Sequence, residues 1–190
     1  MSLASSQPSK KYSIILADPP WTYKVWTAKG GHKSASAHYP TMSLGDIRNL
    51  GIDLRAIEAD DCVLFMWATY PNLKEAFSVL EAWGFEYKTV AFTWLKIYSD
   101  GSPVCGLGYW TRANAEICLL ATRGHPKRVS KGVYQAILAP QREHSQKPDE
   151  IRDRIVELVG DLPRIELFAR QKVEGWHCWG NEVESDIKLG

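Results

Sequence analysis

The chain has 190 residues, enough for one domain with a sizeable core and short for two. It is 45% hydrophobic and 24% charged with a net charge of +1, so no global field favours a polyanion and any nucleic-acid contact must come from a local patch. Cys62, Cys105, Cys118 and Cys178 form no CxxC pair, and no apolar run suits a signal core or a membrane span, which reads as a reduced, cytoplasmic protein.

The opening MSLASSQPSK reads as a disordered leader over residues 1–10, with a single domain over 11–190. YSIILA, from Tyr12 to Ala17, is short, apolar and β-branched, the pattern of a strand buried on both faces of a parallel sheet. Thr22 to Thr41 is a long Gly-, Ser-, Lys- and His-rich loop, a length uncommon unless functional. Ser43-Leu44-Gly45-Asp46 starts a helix with a capping serine.

Cys62 to Ala68 (CVLFMWA) reads as a second buried strand. Pro71 suits a first helical position, with Leu73, Ala76, Phe77 and Leu80 at helical spacing and Gly84 as the stop. Tyr87 to Leu95 and Ala115 to Ala121 read as strands, followed by polar stretches at Lys96 to Asn114 and Thr122 to Lys147. Pro148-Asp149-Glu150 opens a helix whose apolar face is Ile151, Ile155, Leu158 and Val159, and Arg164 to Phe168 is a late strand. Alternating strands and helices predict an α/β domain with a mostly parallel sheet and helices on both faces. Ligands of such sheets sit beyond the carboxyl ends of the strands.

At such an end the first strand runs into Asp18-Pro19-Pro20-Trp21. Proline fixes φ and donates no hydrogen bond, so two in a row make a stiff corner whose carbonyls are expected to be unopposed acceptors. Asp18 adds a charged acceptor and Trp21 a flat apolar face. The set suits a planar group with two N–H donors, such as the exocyclic amine of a nucleobase. That nitrogen is a poor nucleophile because its lone pair is delocalised. Accepting both hydrogens favours a tetrahedral nitrogen whose lone pair faces an electrophilic methyl, through orientation and fixed electrostatics alone.

The ordered set ADPPW, YPTMS (Tyr39 to Ser43), WGF, TWLK, NAEICLL, HSQKPDE, IELFAR and WGNE resembles the DPPW adenine methyltransferases of the MT-A family from about Tyr12 to Asn181. The resemblance implies a single Rossmann-like methyltransferase domain in permuted order, with the catalytic strand first and the cofactor strand late. It implies S-adenosylmethionine as methyl donor. It assigns catalysis to Asp18, Pro19, Pro20 and Trp21, and cofactor contacts to Asp18, Pro20, Ser145, Lys147, Glu166, Phe168, Arg170 and Asn181. Tyr39, Trp94, Lys96 and Glu116 fall near the target base. Two departures stand out. Family members often carry Asn after the ELFAR-type arginine, where Gln171 follows here, and an acid that holds the cofactor adenine before the first strand has no counterpart in SKK.

Arg123, Lys127, Arg128, Lys131, Arg142 and Lys147, with Lys24, Lys29 and Lys33, suit either a basic rim around the site that meets phosphates or two solvated loops. Trp21, Tyr39 and Trp94 each suit stacking on an extruded base or a place in the core, whereas Trp67 and Trp83 read as core. His177-Cys178 does not make a metal site, and no metal is expected. The partner expected is nucleic acid, DNA ahead of RNA by the small format, with no membrane and with room for a homo- or hetero-dimer. The rivals are an RNA methyltransferase, a cytosine-amine methyltransferase and a non-catalytic nucleic-acid-binding subunit, which would be expected to have lost the Asp of DPPW.

Overall fold

Tyr12–Ala17 forms the first strand, β1, at the middle of the sheet. The computed structural model describes residues 10–22, 42–142 and 146–189. The expected leader, apart from Lys10, and nearly all of the early loop lie outside them, with Lys24, Lys29, Lys33 and Tyr39.

The elements that follow are α1 (Leu44–Ile57), β2 (Glu58–Ala68), α2 (Leu73–Ala82), β3 (Glu86–Ile97) and β4 (Ala115–Arg123). They continue with β5 (Ala136–Pro140), α3 (Glu150–Val159), β6 (Arg164–Leu167) and β7 (His177–Trp179). The seven strands form one sheet in the order β5-β3-β4-β2-β1-β6-β7. β1 is parallel to β2 and β6, β6 to β7, and β3 to β5. Only β4, among the described strands, runs against its neighbours β2 and β3. The mostly parallel sheet expected from the sequence is present, with β5 and β7 as two short outer strands that the sequence reading missed.

Alternation along the central strands feeds two cores. Ile15, Ala17, Leu64 and Met66 face α1 and α2, whereas Ile14, Leu16, Val63 and Phe65 face α3. Helices therefore cover both faces. The Ser43 hydroxyl caps α1, accepting from the Asp46 backbone N–H at 3.1 Å. Gly51 lets α1 approach the end of α2, since a Cβ there would lie 2.8 Å from the Ala82 carbonyl oxygen. Trp83 fastens the pair by donating its indole N–H to the Ile47 carbonyl at 2.8 Å. α3 buries Ile151, Ile155 and Val159, each worth roughly 1.5–3 kcal/mol of apolar burial before entropy is counted.

Candidate active site

β1 ends with Ala17 level with Met66 of β2 and Leu167 of β6. Asp18 therefore leaves the sheet at its carboxyl edge, between Trp67 and Phe168. The corner that follows is tied down. The Trp21 N–H donates to the Pro19 carbonyl at 2.8 Å, and the Met42 N–H to the Pro20 carbonyl at 3.3 Å. The two carbonyls are thus not unopposed, as the sequence suggested. Each oxygen accepts one bond and has a second lone pair for another donor.

The expectation that Trp21 offers a stacking face is corrected too. The ring is buried in the α1/α2 core and donates its indole N–H to the Trp67 carbonyl at 3.0 Å. It acts as a strut that holds the Asp18 corner against β2.

Four alternating charges run along this edge. Lys147 Nζ lies 2.7 Å from Asp18 Oδ2 and 3.3 Å from Glu116 Oε2, and Lys96 Nζ lies 2.5 Å from Glu116 Oε1. Antiparallel β4 makes this meeting possible, because Glu116 at its start pairs with Trp94 near the end of β3. Lys147 also sits 5.6 Å from the Trp67 ring centroid, and Lys96 4.9 Å from that of Trp94. Burial opposes the charge on Lys147, but the Asp18 and Glu116 carboxylates outweigh it and hold the ammonium pKa above the ordinary lysine value. Burial likewise pushes the Glu116 carboxyl up, and Lys147 and Lys96 together bring it below its usual range. Trp94 does not stack on a ligand in this arrangement. It is fully buried and donates to the Ala139 carbonyl at 2.9 Å, forming the floor under Lys96.

Glu166 and Phe168 reach the same edge from β6. Arg152 of α3 grips Glu166 with two hydrogen bonds of 2.8 and 3.0 Å. Burial raises the Glu166 carboxyl pKa, and this arginine only partly offsets it. Phe168 turns the chain with a left-handed φ of 60°, and its ring meets Trp179 edge-on at 5.4 Å. Ala169 N–H donates to the Trp179 carbonyl, which brings the exposed Asn181 to this end of the sheet. Arg170 faces Glu182 at 3.7 Å.

A family model described as MT-A70 matches residues 12–182. The chain belongs to the MT-A70 family. It is 38% identical to the type II methyltransferase M.MunI of Mycoplasma sp, over 93% of this chain and 79% of that protein. It is 30% identical to the Drosophila melanogaster N(6)-adenosine-methyltransferase MT-A70-like protein, over 92% of this chain and 27% of that one. Against the human N(6)-adenosine-methyltransferase catalytic subunit METTL3 the identity is 29%, over 92% of this chain and 28% of that one.

Three candidate residues of this MT-A70 chain sit away from the site. Arg123 lies level with Cys62, at the amino end of β2, and its guanidinium pairs with the buried Glu58. The Val129 N–H donates to Leu158 at the far end of α3, which carries Arg128 and Lys131 to that same opposite edge. For these three the expected basic rim around Asp18 is corrected, whereas Lys147 and Arg142 of the same stretch do reach the site. Because β4 is antiparallel, its end and the loop after it point away from the carboxyl edge. Ser145 lies outside the described residues, as does Tyr39.

Two arginines hold the site from behind: Arg152 escapes sequence reasoning, and Arg142 is offered there only as a member of the basic stretch. Arg142 Nη1 donates to Asp149 at 2.7 Å, its second nitrogen donates to the Lys147 carbonyl, and Arg152 Nη1 reaches Asp149 at 3.2 Å. Arg142 thereby fixes the backbone that presents Lys147, and Arg152 fixes Glu166. Neither stands in a motif; both sit among other polar residues.

Among the described residues no three His, Cys, Asp or Glu side chains gather as a metal set. No helix among them is long and apolar enough to cross a membrane. MT-A70 methyltransferases generally depend on S-adenosylmethionine, and the donor chemistry of the edge fits that group. An amino-acid end needs a fixed cation and a fixed anion side by side, and Lys147 and Asp18 supply them. A sulfonium favours a nearby carboxylate, and Asp18 is one.

Proposed function

We propose that this MT-A70 protein methylates the exocyclic amine of adenine in DNA, with S-adenosylmethionine as donor. The observation that carries the reading is Asp18, held at the carboxyl edge of a mostly parallel sheet by a largely buried, charged lysine. The strand order supports a Rossmann-like methyltransferase domain in permuted order, with the catalytic corner after β1 and the cofactor turn after β6.

When bound, S-adenosylmethionine supplies an electrophilic methyl. Everything else is work for this chain. Lys147 occupies Asp18 Oδ2, which leaves Oδ1 to accept one N–H of the target amine. The second lone pair of the Pro19 carbonyl accepts the other. Both hydrogens are then held, and the nitrogen lone pair points out of the ring plane. Lys147 fixes the carboxylate in this pose and faces the carboxylate of the donor. Glu116 and Lys96 fix Lys147 from behind. Glu166, Phe168, Arg170 and Asn181 line the donor side. The base must be single-stranded or extruded to reach this corner.

DNA is preferred over RNA because the similarity to the type II methyltransferase is the higher and extends over 79% of that protein. The N(6)-adenosine-methyltransferase relatives favour RNA as the second reading, but this chain spans only 27% and 28% of the two described above. A non-catalytic subunit is disfavoured by the intact Asp18. S-adenosylmethionine should raise the melting temperature of the wild-type protein and raise it far less in Lys147→Met. No stabilisation of the wild type would remove the enzyme reading and leave the scaffold.

A further inference from the structure

Trp110 stands wholly in solvent in the connection between β3 and β4. Its φ of 65° is left-handed, a region that a bulky side chain rarely adopts. Strain of this kind persists only where the surroundings impose it, and here they do. Gly106 and Ala113 exchange backbone hydrogen bonds of 3.0 and 3.2 Å, and the Thr111 N–H donates to the Tyr109 carbonyl at 2.7 Å. A Cβ at Gly108 would lie 2.4 Å from the Thr111 oxygen, and one at Gly106 2.5 Å from the Ala113 oxygen. Only glycine permits this tip, and the tip holds an indole in water.

The tip grows out of the site. The Lys96 backbone accepts from Val104 N–H at 2.9 Å and donates to the Asn114 carbonyl at 2.8 Å. The same residue's side chain pairs with Glu116. Trp110 is six residues from Glu116, so it lies within about 20 Å of it, roughly six base steps at ~3.4 Å each along a strand. The exposed Leu107 flanks it and the exposed Arg112 follows. Trp21 and Trp94, the described aromatics that the sequence offered for base stacking, are both buried.

We infer that the Leu107–Arg112 tip is a nucleic-acid contact in which Trp110 stacks on a base near the target adenine and Arg112 meets the backbone phosphates. Stacking is tolerant of sequence because every base has a π-face. A strand opened around an extruded or unpaired adenine exposes base faces, and an indole within a few base steps of the site covers one. The inference rests on nucleic acid being the substrate.

The test is fluorescence anisotropy with labelled single-stranded and duplex DNA oligonucleotides containing adenine, using wild type, Trp110→Ala, Trp110→Phe and Gly108→Ala. Trp110→Ala should bind about tenfold more weakly, or about 1.4 kcal/mol, with an unchanged salt slope because no charge is lost. Trp110→Phe should recover most of the loss, and Gly108→Ala, which keeps the indole but not the tip, should resemble Trp110→Ala. Wild-type affinity in Trp110→Ala, with wild-type methylation intact, would overturn the inference and leave the enzymatic reading standing. A change only in mass in solution would also overturn it, by making the tip a contact between protein chains. Wild-type protein that binds neither oligonucleotide would overturn both.

Discussion

Lys147 holds its ammonium nitrogen 2.7 Å from the Asp18 carboxylate, across 129 positions of sequence. That contact joins the corner after β1 to the segment before α3, and Glu116 and Lys96 extend it into a row of alternating charge. Each member neutralises its neighbour, so four ionised groups share a largely buried edge without an uncompensated charge.

Asp18→Ala should leave the fold intact, because its side chain is partly exposed and Lys147 keeps Glu116. Methyl transfer should fall by about 10²–10³ in kcat, the usual cost of one preorganised hydrogen-bond partner. Circular dichroism and single-turnover kinetics check the two halves of this statement.

Lys147→Met leaves Asp18 and Glu116 facing each other without their shared cation. A loss of about 2 kcal/mol is expected, less than for a fully enclosed pair because Asp18 reaches solvent. For a chain of this length that is about 4–8 °C in melting temperature. Calorimetry of the protein without cofactor reads it directly, apart from any effect on methyl-donor binding.

Glu116 gives a signed pH dependence. Its native pKa lies below the ordinary value of 4.5, because two lysines outweigh its burial. The unfolded chain therefore binds the proton more tightly, so the carboxylate adds stability above that value. The contribution drains away as pH falls through the lower native pKa. Glu116→Gln should flatten the acid limb of the stability curve. Lys147 has the opposite sign: its contribution is complete below the ordinary 10.5 and is lost as pH rises past its raised native value. Denaturant titrations across pH measure both limbs.

Arg128→Glu with Lys131→Glu should leave DNA affinity and its salt slope unchanged, since both residues lie at the edge opposite Asp18. Loss of two phosphate contacts would instead reduce the slope by about 1.8. Anisotropy titrations at several salt concentrations separate the two outcomes.

Much of the centre of this molecule is legible in its sequence, and the failures have physical causes. YSIILA followed by DPPW marks both a buried strand and the place where it ends, and Ser43 caps the helix its spacing announces. β5 and β7 escape because short outer strands need little apolar alternation: Ile137 is the only fully buried residue of its strand. A tryptophan's letter does not say which way its ring faces, so Trp21 and Trp94 read equally well as ligand platforms or as core. Periodicity reveals a strand from Ala115 to Ala121, which the structure extends to Arg123, but not that it runs backwards. That one direction brings Glu116 to the site and sends Arg123, Arg128 and Lys131 away from it. Arg142 and Arg152 act through contacts between segments that no local pattern encodes.

The most direct test of the central claim is the product itself. Protein, methyl-labelled S-adenosylmethionine and adenine-containing DNA are incubated, and the nucleic acid is digested to nucleosides. Label should appear on N6-methyldeoxyadenosine with the wild-type chain and form about 10²–10³ times more slowly with Asp18→Ala. Label on another nucleoside, or undiminished label with Asp18→Ala, would contradict the account.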